Sequence, residues 1–469
     1  MKKLLLISFI LLWGITDLSA QKCANLNIQH QADIASTCNK MTMTMLHDTK
    51  DRPYLYIAKK EGGFDVYEVS DIKNPGFKKN IPIADLGNMH VMNISQQGDY
   101  LYLALGNHFV GGDKPGIAII DVSSPESPTV TDVYETTFTD GGCGIVKAEG
   151  DYAYMGAMRH GLIVLDITNK NDIKFISRFK PDINYPTPNP NADLYNARGM
   201  EVKNGMVYLC FDAGGLRIIS TADKQNPTEI GRYSNPTMNG KPRAYNNIIL
   251  DDDMVYITVD YCGLEVLNIA NPADIKVVSW WNPWDCHTNP ANWFSSPGHT
   301  NEIAVDKDNK LLFMSTGKSD LIVVDIDNPS SPDSCNFYGG VSNNIGTWGA
   351  SIHKNRIYLS YICSFVPFSS NWTGVKVLTY NRPSPPSSVN GQLKNTIKAY
   401  PNPATDVVVV ELNGKIQSAE IVNTLGQRFT PKYYQSANTT TFDVAILEKG
   451  VYYIKLAIEG SIMTTKFVK

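Results

Sequence analysis

The chain has little of what most functional classes require. Across its 469 residues, 42 Lys and Arg face 46 Asp and Glu, for a net charge of -4. A basic field for nucleic acid is therefore absent. Beyond the first twenty residues, no stretch approaches the ~20 consecutive apolar residues of a membrane span. The eight cysteines include no C-x-x-C pair, which argues against a zinc ribbon. G-x-S-x-G, H-E-x-x-H and Walker patterns are also missing. No catalytic residue, no metal ligand and no cofactor is assigned on this basis. Stretches of helical period are scarce.

What the chain has instead is turn chemistry: 35 Gly, 26 Pro and 24 Tyr. This composition points to an all-β chain, and 469 residues exceed what one core usually holds. Residues 1–20 read as a secretory signal peptide. Lys2 and Lys3 precede the apolar run Leu4 to Trp13, and Leu18-Ser19-Ala20 offers small residues before a cut. All eight cysteines follow that cut, so disulfides are permitted. Proximity suggests Cys23 with Cys38 and Cys286 with Cys335, leaving Cys210 and Cys363 as buried thiols.

One phrase recurs seven times. "GIAIIDV" at Gly116, "GLIVLDI" at Gly161 and "LIVVDI" after Asp320 are its clearest copies, and the others start at Gly63, Gly215, Gly263 and Gly374. A period of 45–57 residues made of strands signals propeller blades. Each phrase follows two strand patterns joined by Gly-Asp, Asn-Gly or Asp-Asn, pairs suited to hairpins with positive φ. The phrase itself is almost continuously apolar, as expected of a strand buried on both faces. It ends in Asp121, Asp166, Asn268 or Asp325, whose short side chains are suited to bond the backbone ahead and open a turn. Seven four-stranded units close a ring and remove exposed edges. The last copy lacks a clear fourth strand, and "CANLNIQHQADI" after the signal is positioned to supply it, with the first blade beginning near Cys38.

These phrases resemble the LVIVD repeat over about residues 40–380. The resemblance implies a β-propeller of secreted or surface proteins and implies no particular activity. The expected fold is a seven-bladed β-propeller over 21–380, a Pro/Ser-rich linker over 381–396 and a small Ig-like β-sandwich over 397–469.

The last segment carries Tyr400-Pro401-Asn402-Pro403, the "NTLGQ" turn at Asn423 to Gln427, Gly450-Val451-Tyr452-Tyr453, and Lys466 to Lys469. In that order and at the end of the chain, these pieces resemble the C-terminal sorting domain of type IX secretion found in the Bacteroidota. The resemblance implies that Pro401, Asn402, Pro403, Gly450, Tyr452, Lys466 and Lys469 belong to a sorting signal. It also implies that the secretion machinery is a partner and that the protein is released or held on the outer surface. An Ig-like accessory or carbohydrate-binding module is the alternative.

In a propeller, the starts of the innermost strands gather at the channel mouth. Aligned by repeat, those segments carry Asn88 and His90, Asn196 and Arg198, Asn246, His299 and Asn301, and Trp348. Such a set is chemically suited to an anion, a metal or a sugar, or simply to loop backbone and channel water. The insert "WWNPWDCHTNPANWFSSPGH", Trp280 to His299, adds Trp284 and Trp293, which either meet a ligand or form a private cluster. A second insert, Pro181 to Asn196, leads to the same face. Asp306-Lys307-Asp308-Asn309 echoes a calcium loop and reads as a solvated turn. The expected function is binding or adhesion to glycan or protein. The alternative is an exported hydrolase or lyase acting on polysaccharide, with its site at the channel mouth.

Overall fold

The computed structural model describes residues 26–469 except 110–112, 239–242, 288–292, 294–295, 341–344, 364–369, 382–398, 413–414, 424–427, 437 and 459–460. The expected signal peptide, Cys23, most of the linker and most of the "NTLGQ" turn lie outside the described residues. The chain divides into two compact units, Met1–Pro383 and Ser384–Lys469.

The first unit consists of seven antiparallel four-stranded sheets. Their innermost strands are Met45–His47, Val91–Gln97, Ile145–Glu149, Gly199–Lys203, Tyr245–Asp251, Ile303–Asp306 and Thr347–His353. Each touches the next, and the seventh returns to the first, so the sheets close a ring. The recurring phrase is the third strand of each sheet, and its apolar run has a direct cause. Ile117 and Ile119 pack into the third sheet, whereas Ala118 and Ile120 pack into the first. Alternate side chains thus face opposite neighbours, and each fully buried Ile or Leu contributes ~1.5–3 kcal/mol.

The turn residues behave as their chemistry dictates. Asp121, Asp166, Asn268 and Asp325 each accept the backbone N–H two residues ahead, at 2.7–3.0 Å. Gly215, which opens the fourth phrase, has φ +77, and a Cβ there would lie 2.1 Å from the Tyr233 carbonyl oxygen. Only glycine fits that approach without strain. Asp306 departs from the solvated-turn expectation. It is buried, and it accepts from the Asn309 side chain and the Tyr380 hydroxyl at 2.6 Å each.

The seventh sheet takes its outer strand from the other end of the unit. Ile28–Ala35 pairs with Gly374–Tyr380, from Ile28 opposite Tyr380 to Ala35 opposite Gly374. The disulfides differ from the proximity pairing. Cys38 bonds Cys363, because ring closure lays the segment after the latch strand beside the seventh sheet. Cys286 bonds Cys262, because its loop folds back on the turn of its own sheet. Cys335 is also disulfide-bonded. Cys210 is a buried free thiol, as is Cys143.

Every sheet carries a β-bulge in its outer strand. The unpaired residues are Gln31, Lys78, Thr131, Ile176, Ile230, Val278 and Cys335.

The second unit holds two four-stranded sheets around Val408, Val410, Ile421, Phe442, Ile454, Leu456 and Phe467, all buried. The resemblance-derived sorting residues meet there. Asn402 Oδ1 accepts the Val468 N–H at 2.9 Å, and Lys466 pairs with Tyr453 in the last strand pair. Gly450 and Lys469 exchange both backbone hydrogen bonds. Tyr452 is buried against Phe467, with ring centroids 5.5 Å apart. Pro401 and Pro403 flank Asn402 in the turn preceding Val407–Glu411.

Candidate functional site

Inner strands that start on one face bring their first residues together, and a cavity of about 30 Å³ opens there. It is lined by Met92 and Asn93, His108, Gly144, Arg198, Asn246 and Asn247, Asn301 and Glu302, and Trp348. Six of the seven sheets contribute directly. The first is tied in through Thr44, whose hydroxyl donates to Glu302 Oε2 at 2.7 Å.

Four of the residues expected at the mouth are in it: Arg198, Asn246, Asn301 and Trp348. Arg198 is half-buried, and its guanidinium makes no hydrogen bond or ion pair to protein among the described residues. Asn246 is 6% exposed, and its Oδ1 has no hydrogen-bond partner among the described residues. Trp348 meets the ring of Phe109 edge-on at 5.2 Å and that of His108 at 6.3 Å. The loop bearing His108 and Phe109 therefore reaches from the second sheet to the seventh.

The other expected residues do structural work. Asn88 is exposed at φ 60, and its N–H closes a short helical turn on the Ile83 carbonyl. His90 lies 3.4 Å from Asp113 Oδ2 on the rim. Asn196 donates to the Asp193 carbonyl and to Asp212 Oδ2. His299 is 1% exposed, with its Nδ1 2.9 Å from Asp260 Oδ1. Trp284 packs so tightly on Gly298 that a Cβ there would lie 2.3 Å from the indole. Trp293 donates from Nε1 to Asp260 at 2.5 Å and meets His299 edge-on. In the described part of this insert, the aromatics pack on their own sheets.

The residues expected from strand starts omit Asn93, Asn247 and Glu302, each of which lies one to three positions after an expected residue. A channel wall uses neighbouring positions too. His108 was signalled only by length: Gly106 to Pro115 is long for a connection between second and third strands.

Burial governs the electrostatics. The Glu302 carboxyl is raised to about 7, against the opposing hydrogen bonds from Thr44 and Asn93. His108 is held down at about 3 by burial and by the nearby Arg198 charge, so it is a neutral imidazole. At neutral pH the one full positive charge lining the cavity is Arg198. Lower in the channel, Lys147 and Glu201 form an ion pair at 2.9 Å.

The loops around the mouth are braced from below. Arg217 is fully buried, pairs with Glu229 at 3.0 Å and donates to the Asp182 and Tyr185 carbonyls of the Pro181–Asn196 insert. Glu265, equally buried, accepts from Asn235 at 2.6 Å and from the Tyr245 hydroxyl at 2.8 Å.

Comparisons with known proteins agree with this architecture. The LVIVD repeat matches residues 53–81, 89–136, 140–180 and 297–338, which are the first, second, third and sixth sheets. Those four end their third strand in an acid, Glu68, Asp121, Asp166 or Asp325; the other three end in Ser220, Asn268 and Tyr380. The secretion system C-terminal sorting domain matches residues 398–469. No curated protein matches the chain in sequence. Among solved structures it is similar to the Cps50 (Swd1) β-propeller domain of Myceliophteria thermophila. That likeness has a TM-score of 0.52 at 8% identity and covers 75% of this chain and 99% of that one. The WD40 β-propeller domain of Doa1 matches with a TM-score of 0.49 at 10% identity, over 75% of this chain and 97% of the other. No helix among the described residues is long and apolar enough to cross a membrane. The chain is an LVIVD-repeat β-propeller that ends in a type IX secretion sorting domain, which makes it a secreted or surface-attached protein that engages the secretion machinery.

Proposed function

We propose that this protein is an exported binding module that engages glycan or protein through the face bearing the channel mouth. The observation that carries the reading is Arg198: a half-buried guanidinium without a protein partner among the described residues, set among amides and beside an aromatic wall. Buried polar groups are normally satisfied within the fold, so an open one in a concave site favours a ligand. Braced loops around it support recognition with little ordering cost.

The test is retention of the protein on immobilised polysaccharides and extracellular matrix proteins. Trp348→Ala is compared with a Trp284→Ala, Trp293→Ala double variant. Retention lost only in Trp348→Ala supports the mouth, whereas loss only in the double variant moves the site to the long insert. No retention on any member of the panel counts against binding altogether.

Glu302 favours a second reading. A carboxyl near 7 is suited to general acid–base work at neutral pH, as a polysaccharide hydrolase or lyase needs. Turnover of a polysaccharide that disappears in Glu302→Gln, with folding intact, would support it.

A further inference from the structure

The amides at the mouth are oriented, and their orientation restricts the ligand. Asn246 Nδ2 donates to the Thr300 carbonyl at 2.8 Å, and Asn301 Nδ2 donates to the His299 carbonyl at 3.1 Å. A carbonyl only accepts, so both amides are fixed with nitrogen toward backbone and oxygen left over. Among the described residues, Asn246 Oδ1 is buried with no partner, and Asn301 Oδ1 meets only the Asn246 amide, at the 3.5 Å limit. The cavity therefore holds unsatisfied acceptors next to the unpaired donor fork of Arg198. A neutral sugar supplies hydroxyls that donate to the amide oxygens and accept from the guanidinium, but leaves the guanidinium charge without a counter-charge. A bare anion matches the guanidinium and leaves the amide oxygens unmatched. A carboxylate flanked by hydroxyl groups satisfies both sets.

Two further features narrow the class. Trp348, edged by Phe109, offers an aromatic face beside the polar groups, a surface that takes the C–H face of a pyranose ring. The cavity of about 30 Å³ admits one functional edge of a ring while the rest lies across the mouth. The competing carboxylate in the site is already occupied, since Glu302 accepts from Thr44 on one oxygen and Asn93 on the other. We infer that the mouth binds the hydroxy-carboxylate edge of a uronic acid residue in an acidic polysaccharide. This inference rests on the mouth being the binding site proposed above.

The experiment is calorimetric titration of the full chain with oligosaccharides of galacturonate, glucuronate and mannuronate. Their methyl esters, the matching neutral oligosaccharides and an acidic peptide serve as comparison ligands. At least one uronate binds, and its methyl ester binds about tenfold more weakly or worse, because the ester carries no charge and offers the fork no second carboxylate oxygen. Arg198→Gln removes that preference, and Arg198→Lys, which keeps the charge and loses the fork, recovers only part of it. The unfolding midpoint of Arg198→Gln stays at the wild-type value, since Arg198 bonds no protein group among the described residues. Equal affinity for acid and ester, or uronate binding unchanged in Arg198→Gln, overturns the inference. Trp348-dependent binding of neutral glycans alone overturns it and leaves the binding module standing. Arg198-dependent binding of the acidic peptide with none of any uronate does the same. No binding of any ligand, here or on the wider panel, rejects both.

Discussion

Cys38 and Cys363 are joined by a disulfide across 325 residues of sequence, directly after the strand that closes the ring. The seam thus has two fasteners, one covalent and one a strand pair. Replacing both cysteines by serine is expected to destabilise the first unit by about 2–4 kcal/mol, through the freed unfolded chain. Chemical unfolding of the variant measures this. An unchanged midpoint would mean that the strand pair alone holds the ring.

Arg217 is the brace under the Pro181–Asn196 loop. Arg217→Met leaves the Glu229 carboxylate with only the more distant Arg232, at 3.8 Å, and frees two loop carbonyls, and is expected to cost about 3 kcal/mol. Urea unfolding gives the value. A cost under about 1 kcal/mol would show that the ion pair is dispensable.

The pH dependence has a defined sign. Burial raises Glu265 and Glu302 to about 7, and Asp212 and Asp320 to about 6. Each acid prefers to fold protonated, so its contribution is complete below its unfolded value and is lost as pH rises through its folded one. His47, lowered to about 4 by burial, and His108, at about 3, act oppositely between those values and about 6.5. The two groups offset each other in mild acid, and the glutamates dominate between about pH 6 and 7. Unfolding free energy is expected to fall across that interval and to fall less in Glu265→Gln, as read from urea titrations at about pH 6 and 8.

Glycines in similar backbone conformations will not respond alike. Gly98 has φ +61, and nothing lies within 4 Å of the point where a Cβ would sit, so Gly98→Ala is expected to cost about 1 kcal/mol. Gly215→Ala meets the Tyr233 carbonyl at 2.1 Å and should cost several times more. Equal thermal midpoints for the two variants would contradict the account of why the repeat opens with glycine.

Trp284→Ala should behave as a packing truncation, costing about 2–3 kcal/mol, because the half-buried indole packs on Gly298 and Trp281. Trp348→Ala should leave the midpoint nearer wild type and show its effect in ligand retention. The opposite ranking would make Trp348 the structural residue.

The sheets were legible in the sequence because every third strand is buried on both sides and must repeat the same apolar run. The latch was legible because the last copy lacked a partner strand. Four of the ten residues that line the mouth were legible for a similar reason: Arg198, Asn246, Asn301 and Trp348 lie at the starts of inner strands. Asn88, Asn196 and His299 start or precede such strands too, but bond their own loops, and strand position alone does not reveal which way a polar side chain turns. The disulfide pairing was not legible, because ring closure brings Cys38 to Cys363, a proximity that sequence distance hides. The bulges left no mark, since one extra residue in an exposed strand changes no pattern of burial.

Those bulges bear on life at an exposed surface. Outer strands carry exposed Phe77, Phe175, Val277 and Phe337, side chains that invite neighbouring copies to stack edge to edge. An irregular edge cannot template a continuous ladder, because the incoming strand loses register at the unpaired residue. The bulged rim therefore disfavours growth by strand addition, and a partner protein at the rim meets side chains rather than an open backbone ladder.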